Sequence, residues 1–134
     1  MSRSSRALVD TSVFIARESG RPLDRNRIPD ELAVSVITLG ELRQGVLSAG
    51  DVSSRDERLI TLNLAQAWSS LPVDDDVAAA WARLRLFLRD TGRRMPVNDS
   101  WIAATALAGG LPILTQDDDF DAIHGLDDLA VIKV

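Results

Sequence analysis

An almost uninterrupted apolar run, rich in Val and Ile, occupies residues 32–37. Such a run is typical of a strand that is buried on both faces, as in parallel sheets. Shorter runs over residues 7–9, 112–115 and 129–134 are predicted as further strands, and helical segments lie between them. Strands that alternate with helices predict an α/β fold in which helices cover both faces of a parallel sheet.

Local signals predict where the helices begin and end. Thr38 and Glu41 fit a capping box that opens a helix ending near residues 49–50, and Ser54 and Glu57 fit a second one. The helix after Ser54 is predicted to end at Pro72 and to carry an apolar stripe of four residues: Ile60, Leu64, Trp68 and Leu71.

Two more helices follow in the second half of the chain. An acidic start at residues 74–76 and a stop at Gly92 bound the first, whose predicted buried face is Val77, Trp81, Leu84 and Leu88. The next is predicted to begin with Asn98 as its cap and to run from Asp99 to about Ala108. Small side chains along it would allow close approach to the sheet.

Length and composition narrow the class of protein. With 134 residues, 46% of them hydrophobic and 26% charged, the chain is expected to be one globular domain over 1–134. Without cysteine it has no disulfide, zinc finger or thiol nucleophile. The apolar runs are too short to span a membrane, and no apolar signal core follows the basic residues at the N-terminus, so we expect a cytoplasmic protein.

Acidic residues follow or precede the predicted strands at one edge of the sheet. Asp10 and Asp117 follow strands, while Glu41 and Asp99 open helices. Each alone is explained as a helix-start residue, and the capping box accounts for Glu41 completely. Together, however, four carboxylates at the edge where such sheets bind ligands would repel one another unless a cation such as Mg²⁺ or Mn²⁺ were present. The net charge of −5 therefore does not exclude an RNA substrate.

Four sequence blocks resemble, in order, the motifs of PIN-domain nucleases, and in particular of the VapC toxins. The blocks are VDTSVFI (9–15), SVITLGEL (35–42), NDSWIAATA (98–106) and LTQDDDF (114–120). The resemblance implies a three-layer α/β/α fold with a central, mostly parallel sheet. It also implies a Mg²⁺-dependent ribonuclease, with Mn²⁺ as a substitute, whose acids match Asp10, Glu41 and Asp99. For the fourth acid, Asp117 fits the family spacing best and Asp119 is second.

Other polar residues near these blocks have candidate roles. Thr11, Asn98 and Thr115 could orient a carboxylate, although turn and cap chemistry explains them equally well. Four arginines could grip RNA phosphates at the rim of the site or simply be solvated: Arg17, Arg21, Arg93 and Arg94. His124 is the only histidine, so a two-histidine acid–base mechanism has no means of operating.

The resemblance to VapC toxins also implies a cognate VapB-like antitoxin and a homodimer. The two predicted apolar stripes are possible surfaces for these partners, although core packing explains both. Two non-enzymatic alternatives remain open: a receiver-like domain, which would pair acids after the first strand with a Lys near the last, and a metal-free PIN-like interaction module. Metal-dependent cleavage of RNA separates the nuclease from both.

Overall fold

A computed structural model describes residues 6–134; residues 1–5, which belong to the N-terminal segment considered above, lie outside it. Five strands form one sheet in the order β3-β2-β1-β4-β5, and every neighbouring pair is parallel. The strands are β1 (Arg6–Val9), β2 (Glu31–Ser35), β3 (Ser69–Leu71), β4 (Ile113–Thr115) and β5 (Val131–Lys133). The α-helices are α1 (Thr11–Glu18), α2 (Val36–Leu47), α3 (Val52–Gln66), α4 (Asp75–Thr91) and α5 (Val97–Gly109). Two 3₁₀ helices, Arg25–Arg27 and Asp119–Ile123, complete the described elements.

Alternation along the strands separates two cores. Leu8 and Ile113 face a core built with α4, α5 and the 3₁₀ helix Asp119–Ile123. Their neighbours Val9 and Leu114 face the opposite core, which is built with α1, α2 and α3. Because successive side chains of a strand point to opposite faces, these short apolar strands bind helices on both sides. The predicted three-layer α/β/α architecture with a parallel sheet is confirmed.

The helix after β2 begins earlier than the sequence predicted. Ser35 is the N-cap of α2, and its side chain accepts a hydrogen bond from the backbone N–H of Ile37. The strand therefore ends at Ser35 instead of Ile37, and Thr38 is buried within the helix. The capping-box explanation of Glu41 is wrong, because Glu41 lies in the second turn, beyond the free N–H groups that a cap satisfies.

Two other cap assignments are also wrong. Asp51 is the N-cap of α3, where it accepts from the N–H of Ser54, so the predicted box at Ser54 and Glu57 does not form the start. Asn98 lies inside α5, which begins after Pro96 with no side-chain cap. The observed N-cap lies three residues before Ser54 in α3 and two residues before Asn98 in α5.

Of the two predicted apolar stripes, the one on α4 is confirmed and the one on α3 is not. On α4, Val77, Leu84 and Leu88 are buried, Asp74 caps the start and Gly92 ends the helix in the left-handed conformation, as predicted. Because that face is core, it is not a partner surface. The stripe on α3 is wrong: the helix ends at Gln66, Leu71 belongs to β3, and the buried residues are Thr61, Leu62 and Ala65. Within residues 6–134, no helix is long and apolar enough to cross a membrane.

Candidate active site

Asp10 occupies the junction of β1 and α1. It is 1% exposed, and it caps α1 by accepting from the backbone N–H of Ser12. Its Oδ2 also accepts from Ser12 Oγ at 2.6 Å and from Thr115 Oγ1 at 2.9 Å. Burial raises the pKa of the Asp10 carboxyl, and these hydrogen bonds oppose that rise by favouring the anion. The carboxylate is thus buried but firmly oriented.

Ser12 is a functional candidate that the sequence reasoning missed. Besides donating to Asp10, its Oγ accepts from the backbone N–H of Gln116 at 2.9 Å and lies 3.1 Å from Thr115 Oγ1. Thr115 in turn accepts from the backbone N–H of Asp117 at 3.0 Å. These contacts fasten the loop after β4 to the start of α1. The available signal was a short hydroxyl residue two positions after a strand-end acid, which suits both cap and orienting roles.

The side chain of Glu41 extends from α2 toward residues at the starts of α1 and α5. Its Oε1 accepts from Thr11 Oγ1 at 2.7 Å, and its Oε2 accepts from Asn98 Nδ2 at 3.4 Å. Thr11 Oγ1 also lies 3.0 Å from the hydroxyl of Thr38, which is fully buried. Thr11, Asn98 and Thr115 therefore do contact the predicted acids: Thr11 and Asn98 contact Glu41, and Thr115 contacts Asp10.

Asp99 lies at the centre of the acids. Partial burial, together with the charges of Asp10, Asp119 and Glu41 and a hydrogen bond with Asp119, raises its pKa to about 7. Burial, Asp10 and Asp119 likewise raise the pKa of Asp117, against the opposing charge of Arg21. The acids predicted from distant blocks thus share one electrostatic environment. Repulsion of this kind is what carboxylates show when no cation compensates them.

The side chains of the three consecutive Asp residues point in different directions. Asp118 raises the pKa of its neighbour Asp117 but is turned to the C-terminal strand, where Lys133 donates to it and lowers its own pKa, so it does not face Asp10 or Asp99. Asp117 and Asp119 both do, and Asp119 is the one that contacts Asp99. The pairing of Lys133 with Asp118 and Asp121 also removes the basis for a receiver-like site, which would bring this Lys to the acid after β1.

The four predicted arginines have different surroundings. Arg21 is close enough to Asp117 to lower its pKa, and Arg17 is exposed on α1. Arg93 has a structural role, since its Nη1 donates to the carbonyls of Ala122 and His124 at 3.3 and 2.6 Å. Arg94 is exposed after α4. His124 is an exposed turn residue, as its position outside the motif blocks indicated.

The donor set suits a hard divalent cation. The side chains that converge are carboxylates with hydroxyls beside them, and Mg²⁺ and Mn²⁺ prefer such oxygen ligands. As the side chains lie, no three acids or histidines within residues 6–134 form a ready-made metal site. Binding would therefore require carboxylates to rotate inward, which the removal of their mutual repulsion favours.

Comparison with known proteins agrees with this geometry. A family model described as the PIN domain matches residues 7–126. The chain is 53% identical to "Ribonuclease VapC5" of Mycobacterium tuberculosis over 127 residues, covering 95% of this chain and 94% of the relative. It is 50% identical to "Ribonuclease VapC4" of the same organism over 130 residues, covering 96% and 97%.

A solved structure shares both sequence and fold. The crystal structure of VapBC-5, a toxin–antitoxin system of Mycobacterium tuberculosis, contains a chain that superposes with a TM-score of 0.90 at 48% identity. The match covers 97% of this chain and 99% of that one. The family model, these relatives and the fold lead to one assignment. The chain belongs to the PIN-domain family and, within it, to the VapC group.

Proposed function

We propose that the chain is a Mg²⁺-dependent endoribonuclease, and that it is the toxin of a VapBC-type toxin–antitoxin pair. It hydrolyses phosphodiester bonds of tRNA, rRNA or mRNA in the cytoplasm and so inhibits translation and growth; Mn²⁺ substitutes for Mg²⁺. The observation that carries the proposal is the convergence of Asp10, Glu41 and Asp99 at one edge of the sheet, where Thr115 donates to Asp10 and Thr11 and Asn98 donate to Glu41. In agreement with this convergence, burial and the surrounding carboxylates raise the pKa of Asp99 to about 7. The names of the relatives, ribonucleases VapC4 and VapC5, support the same activity.

The acids share one role in the proposed reaction, and the polar residues beside them have others. Asp10, Glu41 and Asp99 would hold the metal, with Asp117 or Asp119 as the fourth acid. When bound, Mg²⁺ supplies positive charge that activates water and stabilises the attacking and leaving oxygens of the phosphodiester. Ser12 and Thr115 fix the orientation of Asp10, and Thr11 fixes Glu41. Arg21, beside Asp117, is placed to bind a substrate phosphate.

The activity is tested by incubating purified protein with RNA in Mg²⁺, in Mn²⁺ and in EDTA. We expect cleavage only with the cations, and products with 5′-phosphate and 3′-hydroxyl ends, because water attacks phosphorus in a single displacement. Products that end in 2′,3′-cyclic phosphate, or full activity in EDTA, would refute the proposal. Cleavage with the cations that is absent in EDTA would also distinguish the nuclease from a metal-free interaction module.

Isosteric variants test the acids one by one. Asp10→Asn, Glu41→Gln and Asp99→Asn are each expected to remove most cleavage while leaving the fold intact, since each replaces an anionic ligand by a neutral one of the same shape. Asp30→Asn is the matched control, because Asp30 is an exposed acid just before β2. A Glu41→Gln protein that keeps its activity would remove Glu41 from the site.

A groove beside the acids fits the proposed antitoxin. Ile15, Leu42, Gly45 and Arg58 line a cleft of about 320 Å³ that Glu18 and Glu41 also border, among α1, α2 and α3. Ile15 is exposed although it is large and apolar. We propose that an antitoxin arm lays apolar residues in this groove and places an Arg or Lys near Asp10 and Asp99, which excludes metal or RNA.

Solved structures support this pairing, since chains of VapBC-5 and of FitAB share the fold. Co-expression with the neighbouring open reading frame, followed by purification, tests it directly. We expect a complex in which the toxin is itself a homodimer, and restored cleavage when the antitoxin arm is deleted. Recovery of an active monomer without a partner would contradict the proposal.

A further inference from the structure

The C-terminal half of α4 presents a stripe of arginines. Arg85 and Arg89 are one helical turn apart, and Arg93 follows at the same spacing just after the helix. Together with Arg94 they border a cleft of about 350 Å³, with Leu88 and Met95 as its buried apolar floor. Four guanidinium groups therefore surround one concave surface on a chain whose net charge is −5.

This cleft lies at the same edge of the molecule as the acids. Helices α4 and α5 pack along each other, and only residues 92–96 connect them, so the end of α4 lies beside the start of α5, where Asp99 is found. Arg93 also donates to the carbonyls of Ala122 and His124, at the end of the 3₁₀ helix that begins with Asp119. The arginines and the acids thus share supporting elements.

Two of the arginines are held in place by contacts with the protein. Arg93 is fixed by its two carbonyl contacts and lies over the ring of Phe87 at 5.5 Å. Arg85 lies over the ring of Trp81 at 5.5 Å. Arg89 pairs only with its neighbour Asp90, and both side chains are largely exposed, so that pair is weak and yields readily to a stronger anion.

Arg85 and Arg89 place two like charges close together on α4. Like charges one turn apart on a helix repel each other, and Asp90 is the only acid that pairs with a cleft arginine among the described residues. Planar guanidinium groups bind phosphate oxygens in bidentate geometry, and the RNA substrate of the proposed function supplies such oxygens along its backbone.

We propose that this cleft binds a backbone phosphate of the RNA substrate away from the scissile bond. The inference rests on the proposed ribonuclease activity. Arg85, Arg89 and Arg94 bind the phosphate, whereas Arg93 mainly builds the wall of the cleft. The basic surface of the cleft holds the RNA beside the acidic centre. This binding does not require the metal.

The test measures RNA binding in EDTA, so that cleavage and metal ligation do not contribute. Fluorescence anisotropy of a short labelled single-stranded RNA is recorded across about 50 to 200 mM NaCl. The variant is Arg89→Gln with Arg94→Gln, and the matched control is Arg43→Gln with Arg55→Gln, which removes the same charge from exposed positions on α2 and α3. Thermal melts verify that both double variants are folded.

We expect the cleft variant to bind about tenfold more weakly than the control at low salt. The slope of log K against log salt should fall by about 0.7, because the loss of one phosphate contact on a single strand removes about 0.7. Equal affinity and slope for both double variants would overturn the inference. So would a cleft variant that loses binding of polyglutamate but not of RNA, since the partner would then be an acidic protein.

Cleavage by the wild-type chain with Mg²⁺ is measured in parallel. If wild type cleaves RNA but both double variants bind it equally well, the cleft inference alone fails. If wild type cleaves no RNA, the proposed function fails and the substrate role of the cleft fails with it.

Discussion

The substitution Asp99→Asn should stabilise the metal-free protein at neutral pH. The pKa of Asp99 rises from the ordinary value of 3.8 to about 7 because of burial and then the neighbouring acids. At about 1.4 kcal/mol per pH unit this difference corresponds to about 4 kcal/mol, and solvent screening of a half-exposed group reduces it to about 2 kcal/mol. Asn removes the charge that causes this cost.

The direction in which this effect depends on pH follows from proton linkage. A raised pKa means that the folded state holds the proton more tightly than the unfolded state, so stability is complete below the ordinary pKa and is lost as the pH rises through the folded pKa. Asp99→Asn should therefore melt about 6 °C above wild type in EDTA at about pH 7.5, at about 3 °C per kcal/mol. At about pH 4.5, which is still above the ordinary pKa of 3.8, the difference should shrink to about a quarter of that value.

Differential scanning calorimetry in EDTA measures the melting temperatures of both proteins at the two pH values. The control Asp30→Asn changes an exposed acid and should melt like wild type at both. Adding Mg²⁺ should raise the melting temperature of wild type more than that of Asp99→Asn, because ligand binding stabilises the folded state by mass action. An Asp99→Asn protein that melts at or below wild type at about pH 7.5, or whose advantage grows at lower pH, would refute the reasoning.

Three further predictions concern neighbouring residues. Asp117→Asn should cost more cleavage than Asp119→Asn, measured as initial rates under identical Mg²⁺, and the reverse order would make Asp119 the fourth ligand. Ser35→Ala should lower the free energy of unfolding by about 1 kcal/mol through loss of the α2 cap, whereas Glu41→Gln should not, in urea titrations; equal losses would restore a capping role to Glu41. Ser12→Ala should weaken Mg²⁺ binding about 10- to 100-fold by calorimetric titration, since Ser12 orients Asp10, and an unchanged affinity would show that Thr115 suffices.

The sequence predicts the sheet better than the helix starts. Buried apolar strands leave few alternatives, so β1, β2, β4 and β5 follow from their apolar runs, and Asp10 and Asp117 lie just after β1 and β4 as expected. Strand β3 was missed because its residues Ser69–Leu71 have no apolar run, and its pairing with β2 is decided by tertiary contacts. A capping box offered an alternative explanation of Glu41 because it matched locally, but Ser35 caps the helix one turn earlier.

The orientation of the acids could not be predicted, since it depends on contacts between distant segments. Thr11 reaches Glu41 across 30 positions, and Thr115 reaches Asp10 across 105. Likewise, three consecutive Asp residues are equivalent in sequence, and only the position of Lys133 beside β4 turns Asp118 away from the others. Such partners have no local signature.

The fold offsets the repulsion among the acids by placing them at helix starts. Asp10 caps α1, Asp99 lies in the first turn of α5, and Asp119 opens a 3₁₀ helix. Free N–H groups and the helix dipole stabilise anions at these positions. That support is partial, since the pKa values of Asp10 and Asp99 remain raised. The ordinary helix-start explanation and the functional one are therefore complementary: the helix starts make the cluster tolerable in the folded chain, and the repulsion they leave uncompensated is what a divalent cation would relieve.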